Sequence, residues 1–231
     1  MTAKKYVIAT IKNWNIDNSK QLQREGEHDI EIIVDKKELT AENISKLQPR
    51  YIFFPHWSWK IPAGIYQNWE CVVFHMTDLP FGRGGSPLQN LIERGIYQTK
   101  ISALKVEEEM DAGPIYGKKN LDISSGSAND IFKRAANIIF KEMIPSIIKN
   151  EPVPVPQSGQ PVIFQRRTEQ QSDLAGIANS AKAYDYIRML DGEGYPPAFI
   201  KLGELKYEFT EAEKNGSEVR AKVVIKNKEI Q

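Results

Sequence analysis

Two separated segments of the sequence hold residues whose types and spacing could do chemistry. His75 opens the first, a loop rich in proline and glycine that runs to Pro87, and Asp111 lies in the second, 36 residues after the histidine. An imidazole that titrates near neutral pH can donate or accept a proton, and a carboxylate can favour its cationic form or accept a proton itself. The alternatives are a structural histidine bonded to nearby backbone and a turn aspartate that precedes Gly113.

Alternating strands and helices are predicted to position these groups. The first third of the chain holds four apolar runs of strand length, rich in β-branched and aromatic residues. Polar segments with helical capacity separate them, such as Leu39–Leu47, where Thr40 can cap the helix. This alternation predicts an α/β fold with a Rossmann-like, mostly parallel sheet and helices on both faces. His75 follows the fourth run, at the carboxyl ends of the strands, where such sheets bind ligands. The runs are Tyr6–Ala9, Ile30–Val34, Tyr51–Phe54 and Cys71–Phe74.

The composition changes after residue 150. A long helix is predicted over Ala128–Lys149, where apolar residues recur every three or four positions. The proline-rich segment Glu151–Pro161 then breaks regular structure and reads as a linker. We therefore predict a main domain over residues 1–150 and a small α+β appendage over residues 151–231. The elements predicted in the appendage are a helix over Asn179–Leu190 and a hairpin of strands Tyr207–Thr210 and Val219–Ile225.

Composition excludes several classes of protein. The 231 residues are 41% hydrophobic and 26% charged, which indicates a folded chain, and the formal net charge of +1 predicts little overall attraction to nucleic acids or anionic membranes. The single cysteine, Cys71, lies in an apolar run and suits a reducing compartment. The apolar stretch near the N-terminus is too short for a signal peptide or a membrane span. We expect a soluble cytoplasmic protein, and we assign no metal site.

The two chemical segments together carry a family resemblance. His75, Thr77, Leu79-Pro80, Arg83-Gly84 and Pro87, followed by Met110-Asp111-Ala112-Gly113-Pro114-Ile115, resemble the motifs of the folate-dependent formyltransferases in order and spacing. Those enzymes move a formyl group from 10-formyltetrahydrofolate to an amine. The resemblance extends loosely over residues 1–150 and implies that these form the catalytic domain. It also implies that His75 and Asp111 are the catalytic residues, with Asp111 beside the imidazole and accepting the proton of the amine.

The resemblance further implies where the formyl donor and the acceptor bind. A flat apolar wall suits a fused pterin ring. The residues assigned to the pterin are Trp57, Trp59, Ile61, Glu108 and Met110, and those assigned to the acceptor are Lys12, Asn13, Thr77 and Arg83. For the tryptophans the alternative is that they only cover the edge of the sheet. For Arg83 it is that the guanidinium braces its own loop rather than binding a carboxylate or phosphate.

One position departs from the family pattern. The family has an asparagine two residues before the histidine, where its amide helps to hold the formyl oxygen, and this chain has Val73 there. Loss of one such donor costs roughly 10²–10³ in rate. The candidates to replace it are Thr77, Asn13, His56 and a backbone N–H, and the sequence does not choose among them.

The choice of acceptor rests on charge and size. Residues 151–231 contain 11 lysines and arginines against 12 acidic residues. This segment is also shorter than the C-terminal barrel domain that the resemblance implies for the tRNA enzymes of the family. The loop after the first strand lacks the glycines of a tight phosphate cradle. We therefore predict a small amine acceptor, an amino sugar carried on a nucleotide, rather than tRNA, DNA or a membrane. Methionyl-tRNA formylation, hydrolysis of formyltetrahydrofolate and non-catalytic binding of folate or a nucleotide sugar are the alternatives. Pairing of the terminal hairpin in a homodimer is also left open.

Overall fold

The computed structural model describes residues 4–26 and 28–227, and its centre is a six-stranded sheet. The first seven strands are β1 Lys5–Ala9, β2 Asp29–Ile33, β3 Tyr51–Phe54, β4 Cys71–His75, β5 Phe81–Gly84, β6 Gln98–Lys105 and β7 Ile115–Asp122. The strand order in the sheet is β2-β1-β3-β4-β6-β7. The first four strands in this order run parallel, and β6 runs antiparallel to β4. The predicted α/β fold with a mostly parallel sheet is confirmed.

Both faces of the central strands are buried, which explains why these strands read as continuous apolar runs. Side chains alternate along a strand, so Val7 and Ala9 leave one face of β1 while Tyr6 and Ile8 leave the other. All four are at most 4% exposed. The face that carries Val7 belongs to a core cluster with residues of β2, β3 and β4. Burial on both faces is the pattern expected of parallel strands.

The described residues contain seven α-helices. They are α1 Asn13–Arg24, α2 Ala41–Leu47, α3 Ala63–Tyr66, α4 Pro87–Glu93, α5 Ala128–Ile138, α6 Ile144–Asn150 and α7 Ser180–Leu190. The predicted N-cap Thr40 is confirmed for α2, and Asn179 is the N-cap of α7. Thr40 Oγ1 accepts a hydrogen bond from Asn43 N–H at 3.2 Å, and Asn179 Oδ1 accepts one from Lys182 N–H at 2.9 Å. Each cap satisfies a backbone donor that the first turn of a helix leaves without a partner.

The helix predicted over Ala128–Lys149 is interrupted in its middle. A π-helical segment, Ile139–Met143, separates α5 from α6. Pro145 lies in the first turn of α6, where it lacks a backbone N–H and its ring crowds the carbonyl four residues earlier. Widening of the turn before a proline relieves this clash. The 3.6-residue periodicity predicts helix throughout but does not register this local change.

The chain folds into two compact units. The first unit comprises Met1–Arg83, Lys100–Leu121 and Lys133–Ile163, and it holds most of the six-stranded sheet. The second unit comprises Gly84–Thr99, Asp122–Phe132 and Phe164–Gln231. The division into domains at residue 150 stays a prediction. Across the described residues, no helix combines the length and the apolar content that crossing a bilayer requires.

The second unit contains α7 and a three-stranded antiparallel sheet. Its strands are β9 Ala198–Leu202, β10 Leu205–Asn215 and β11 Glu218–Asn227, and β10 lies in the middle. The predicted hairpin corresponds to β10 and β11, both longer than predicted, whereas β9 was not predicted. A separate two-stranded sheet pairs β5 with β8, Val162–Phe164.

Candidate active site

His75 is the last residue of β4, at the carboxyl ends of the parallel strands. The residue is 8% exposed, and its Nε2 lies 2.7 Å from the carbonyl oxygen of Gly82. A carbonyl oxygen only accepts hydrogen bonds, so this contact places a hydrogen on Nε2. The other ring nitrogen, Nδ1, is then the atom at which a proton can be taken up or released. The loop after β4 thus fixes the orientation of the ring.

Short polar side chains hold the loop that follows His75. Ser102, on β6, donates a hydrogen bond to the carbonyl oxygen of Thr77 at 2.7 Å and accepts one from Leu79 N–H at 3.3 Å. The Thr77 hydroxyl donates to Gly82 O at 3.4 Å, and Thr77 is fully buried. Thr77 is predicted to contact the acceptor, but its hydroxyl is used in a hydrogen bond inside the loop. Sequence reasoning missed Ser102, which no motif marks.

Asp111 lies beside the histidine, as the resemblance implies. One carboxylate oxygen, Oδ2, is 3.5 Å from His75 Nδ1, and the Asp111 side chain is 16% exposed. The residue sits in the turn between β6 and β7 with a φ of 55°, in the left-handed region that aspartate and asparagine adopt more readily than most residues. The structure therefore brings together the imidazole and the carboxylate predicted to act on the amine. Their catalytic roles stay predictions.

The turn that carries Asp111 lies against the end of β6. Lys105 N–H donates to Pro114 O at 2.9 Å. A β-carbon on Gly113 would lie 1.9 Å from the carbonyl oxygen of Lys105, far inside van der Waals contact. Only glycine therefore permits this close approach of the two backbones.

Gly113→Ala is expected to displace the Asp111 turn. We expect the kcat of the implied formyl transfer to fall by about 10²-fold, because displacements near 1 Å at reacting groups have effects of this size. Thermal unfolding should also show a loss of about 2 kcal/mol from the forced backbone shift. The control is Gly117→Ala in β7, where an added β-carbon meets nothing within 4 Å. Equal behaviour of the two variants in both assays would contradict this account.

The guanidinium of Arg83 is held by two neighbouring side chains. Its Nε and Nη2 donate to Oε1 of Gln157 at 3.1 and 2.9 Å, and its Nη1 donates to Glu109 at 3.2 Å. The Arg83 side chain is only 11% exposed. These contacts join Arg83 to the turn of Asp111 and to the segment that contains Gln157, so the guanidinium holds other segments and not only its own loop. Its assignment to the acceptor stays a prediction.

Val73 is partly buried and supplies no hydrogen-bond donor where the family has an asparagine. It lies two residues before His75 on β4, so both side chains leave the same face of the sheet. Val73 packs against the core cluster that contains Val7 and Phe54. An apolar side chain there adds packing and no hydrogen-bond donor. A stabilising donor for a formyl oxygen must come from another element.

His56 is a candidate for that donor, because it follows β3, the strand beside β4. Its φ is 59°, and its ring makes an edge contact with Trp14 at 6.2 Å between centroids. Burial, with a smaller contribution from the Lys12 ammonium, lowers the pKa of His56 from 6.5 to about 4. The ring is therefore neutral at physiological pH and retains one N–H donor.

This lowered pKa predicts a pH-dependent loss of stability. The unfolded chain binds a proton at His56 below its ordinary pKa of 6.5, whereas the folded protein binds it only near pH 4. Stability is therefore complete above pH 6.5 and falls by about 3 kcal/mol as the pH drops to 4. Urea unfolding of the wild type and of His56→Asn measures this term, because asparagine tolerates the positive φ. Parallel stability curves from pH 7 to 4 would contradict it.

The remaining residues predicted to bind ligands take different positions. Lys12 is the N-cap of α1, with its ammonium 5.6 Å from the centre of the Trp14 ring, and Asn13 is the exposed first residue of that helix. Glu108 and Met110 are exposed in the turn before Asp111, with Met110 at 73%. None of the described contacts joins these four side chains to His75.

The predicted pterin wall is partly core. Ile61 is 7% exposed and belongs to the core cluster, against which Trp57 packs. Trp59 is 40% exposed, and its ring lies 5.0 Å from that of Trp57 at 73°. Trp57 and Ile61 therefore help to cover the sheet, as the alternative held, while Trp59 offers an aromatic surface to a ligand. Their binding of a pterin stays a prediction.

Comparison with known proteins finds similarity over most of the chain. A family model described as the C-terminal domain of methionyl-tRNA formyltransferase matches residues 169–226. The methionyl-tRNA formyltransferase of Wolinella succinogenes is 27% identical over 202 residues, which cover 84% of this chain and 64% of that protein. This chain spans less than two thirds of the length of the curated relatives that it matches first.

Solved structures give a closer match. The methionyl-tRNA formyltransferase from Clostridium thermocellum is 51% identical, with a TM-score of 0.94 over 97% of this chain and 100% of its own. A sugar N-formyltransferase from a Shewanella species shares the fold, with a TM-score of 0.65 over 85% of this chain and 92% of its own, at 13% identity.

The prediction of a nucleotide-linked amino sugar as acceptor and partner is wrong. The structure with 51% identity and the curated relatives are methionyl-tRNA formyltransferases, whereas the sugar enzyme shares only 13%. The prediction relied on the net charge of residues 151–231, and net charge averages over all faces of a segment and does not report a local basic surface. It also relied on their small number, yet the matched tRNA-enzyme domain fits within residues 169–226.

Proposed function

This chain belongs to the 10-formyltetrahydrofolate-dependent formyltransferase family, and from that premise we propose that it transfers a formyl group from 10-formyltetrahydrofolate to the amine of initiator methionyl-tRNA. The observation that carries the proposal is the pairing of His75 with Asp111 at the carboxyl end of β4, 3.5 Å apart. The 51% identity between this chain and the methionyl-tRNA formyltransferase from Clostridium thermocellum supports the choice of acceptor.

His75 and Asp111 supply the hydrogen-bond donor and the proton acceptor that amine formylation needs. Attack of an amine on a formyl carbon places negative charge on the carbonyl oxygen and positive charge on the nitrogen. The Asp111 carboxylate, mostly buried beside Nδ1, accepts the proton of the amine directly or through water. The His75 ring donates a hydrogen bond to the developing oxyanion through Nδ1 when that nitrogen carries a proton, because the Nε2 hydrogen is bonded to Gly82 O. A neutral His56 supplies a further N–H where the family asparagine is replaced by Val73.

The carboxyl ends of β1 and β3 fit a folate ring. The indole N–H groups of Trp14 and Trp57 and the Oδ1 atom of Asn15 are buried and have no hydrogen-bond partner among the described residues. These residues follow two adjacent strands of the sheet, and a pterin ring offers both donors and acceptors to such groups. Trp59, which is 40% exposed, would hold the ring by stacking. Bound there, 10-formyltetrahydrofolate supplies the formyl group.

Exposed cations on β11 form the surface that we propose for the tRNA. Arg220, Lys222 and Lys226 are separated by even numbers of positions, so their side chains leave the same face of the strand, with Val224 between the two lysines. The side chains are 79%, 62% and 56% exposed. Each pairs with a carboxylate, but exposed ion pairs contribute roughly 0–1 kcal/mol, so a phosphate can replace the carboxylate.

A reducing cytoplasm suits this assignment, since translation initiates there. Burial raises the pKa of the Cys71 thiol to about 12. The thiol is therefore protonated and poorly reactive at physiological pH.

The test follows tetrahydrofolate release from 10-formyltetrahydrofolate by the purified protein, with initiator methionyl-tRNA, with the same tRNA uncharged, or with no acceptor. We expect release only with the charged tRNA, with formylmethionyl-tRNA as the product and a KM for tRNA that rises with salt. Release without an acceptor would identify a hydrolase. No release in any arm would identify a binding protein, and either result would overturn the proposal.

A further inference from the structure

We propose that Gln157 is a positioning residue that holds the Asp111 turn in register with the His75 loop. The proposal deepens the formyl transfer proposed above and rests on it. Gln157 lies in the proline-rich segment that the sequence predicts to be only a linker. It touches neither reacting group, so its effect on them is indirect.

All four hydrogen-bonding positions of the Gln157 amide are used. Its Nε2 donates to the carbonyl oxygens of Asp111 and Gly113, at 2.8 and 2.9 Å. Its Oε1 accepts from Nε and Nη2 of Arg83, at 3.1 and 2.9 Å. A glutamine amide has two donor hydrogens and two acceptor lone pairs, so this set is complete. Such a network specifies one arrangement of the groups that it joins.

The two ends of this amide reach the backbones that carry the two site residues. Arg83 directly follows Gly82, whose carbonyl oxygen orients His75 through Nε2. On the other side, the amide holds Asp111 by its own carbonyl oxygen. The segments containing His75 and Asp111 are far apart in the chain, and Gln157 bonds directly to the turn of Asp111 and to Arg83 in the loop of His75. A shift of Gln157 is expected to change the separation of Nδ1 and Oδ2.

The backbone around Gln157 is itself fastened. Val155 and Ile115 exchange two backbone hydrogen bonds, with Val155 N–H donating at 2.9 Å and Ile115 N–H at 2.8 Å. Ile115 begins β7, directly after the Asp111 turn. Prolines at 154 and 156 restrict the backbone dihedrals on either side of Val155. The segment therefore presents the glutamine amide from a rigid, extended backbone.

Three variants test the proposal. Gln157→Glu keeps an acceptor for Arg83 but turns the two donors into an anionic oxygen that faces carbonyl oxygens. Gln157→Met keeps the approximate length of the side chain without charge and removes all four bonds. Gln160→Glu is the matched control, because it makes the same substitution at an exposed position three residues further on.

Activity and histidine spectra are measured on each variant. We expect Gln157→Glu and Gln157→Met to lower kcat for formyl transfer by about 10–100-fold with little change in KM, because the reacting groups are misplaced and not removed. The chain has three histidines, so ¹⁵N-labelled imidazole signals can be assigned by substitution. We expect the His75 ring signals to move toward those of Asp111→Asn, while the signals of the other two histidines and the Gln160→Glu variant stay as in the wild type.

The outcomes separate this proposal from the proposed function. If the wild type transfers no formyl group, the proposed function fails, yet the ring signals still test whether Gln157 holds Asp111 beside His75. Unchanged His75 signals in both Gln157 variants overturn the positioning role. So does a loss of kcat that tracks a fall in unfolding temperature while the His75 signals stay unchanged. If Gln157→Glu does not fold, the neutral Gln157→Met variant decides.

Discussion

Replacing His75 by alanine is expected to reduce kcat for formyl transfer by about 10³-fold, within the range for removal of a general acid or base. The ring is 8% exposed and ends β4 at the point where the sheet presents ligands. Its Nε2 and Nδ1 face a carbonyl oxygen and a carboxylate, respectively. Removal of the ring therefore removes both the hydrogen bond to the oxyanion and the partner of Asp111. Steady-state kinetics with methionyl-tRNA measures the loss.

Binding of the formyl donor distinguishes a chemical role from a structural one. We expect His75→Ala to bind tetrahydrofolate nearly as well as the wild type, because the residues proposed to hold the pterin lie after β1 and β3. The control is His28→Ala, which removes a ring that contacts only Tyr6 among the described aromatic side chains. Wild-type turnover by His75→Ala would remove the histidine from the mechanism.

Replacing Asp111 by asparagine is expected to lower kcat by about 10²–10³-fold. Asparagine has nearly the same shape and tolerates the φ of 55° at this position, so the turn is kept while the charge is lost. The amide cannot accept a proton from the amine at neutral pH. Steady-state rates at neutral pH measure this loss.

The neighbouring carboxylate gives a matched control for Asp111. Glu109 lies in the same turn, and its side chain is 75% exposed, so its ion pair with Arg83 contributes little. We expect Glu109→Gln to retain nearly full activity. We also expect the double variant of His75 and Asp111 to be hardly slower than the worse single variant, since residues that act as a unit lose their effect together. Multiplied losses would show that the two side chains act independently.

Three of the four parallel strands, β1, β3 and β4, could be predicted because they are mostly buried on both faces, whereas β2 lies at the edge of the sheet with Asp29 and Glu31 exposed. Apolar runs, interrupted in β2 by Glu31, mark β1 to β4 within one residue of their observed ends. The alternating polar residues of β7, such as Lys118 and Asn120, belong to a strand at the edge of the sheet, and its exposure conceals it in the hydropathy pattern. Exposed edge strands carry a weaker signal of this kind.

Helix α1 was not predicted because its buried positions are polar. Asn15 and Ser19 are its buried residues, and each uses its side chain to satisfy a hydrogen bond. The Asn15 amide donates to Thr10 Oγ1 and to Pro55 O, and the Ser19 hydroxyl donates to Asn15 O. An apolar stripe at helical spacing is therefore missing, although the helix is packed. Pattern reading finds helices whose buried face is apolar.

The candidate site was predictable where a motif carried it and not elsewhere. His75 and Asp111 belong to loops with a distinctive sequence, and the structure brings them together. Ser102 and Gln157 act through backbone carbonyl groups of distant residues, and no local pattern encodes such a contact. Gly113 lies in the motif, but the close approach of its backbone to Lys105 O is visible only in the structure.

The interleaving of the two units has a consequence for how the chain is made. The polypeptide passes from one unit to the other five times between residue 83 and residue 164. On the ribosome, residues 84–99 and 122–132 emerge early, but most of their unit is synthesised after residue 163. They must therefore wait, with apolar side chains such as Leu88 and Leu91 uncovered, until α7 and the hairpin have been translated. Truncation after residue 163 would leave these pieces without the rest of their unit. The hairpin, which packs on α7, thus helps to complete this unit as well as carrying the surface that we propose for tRNA.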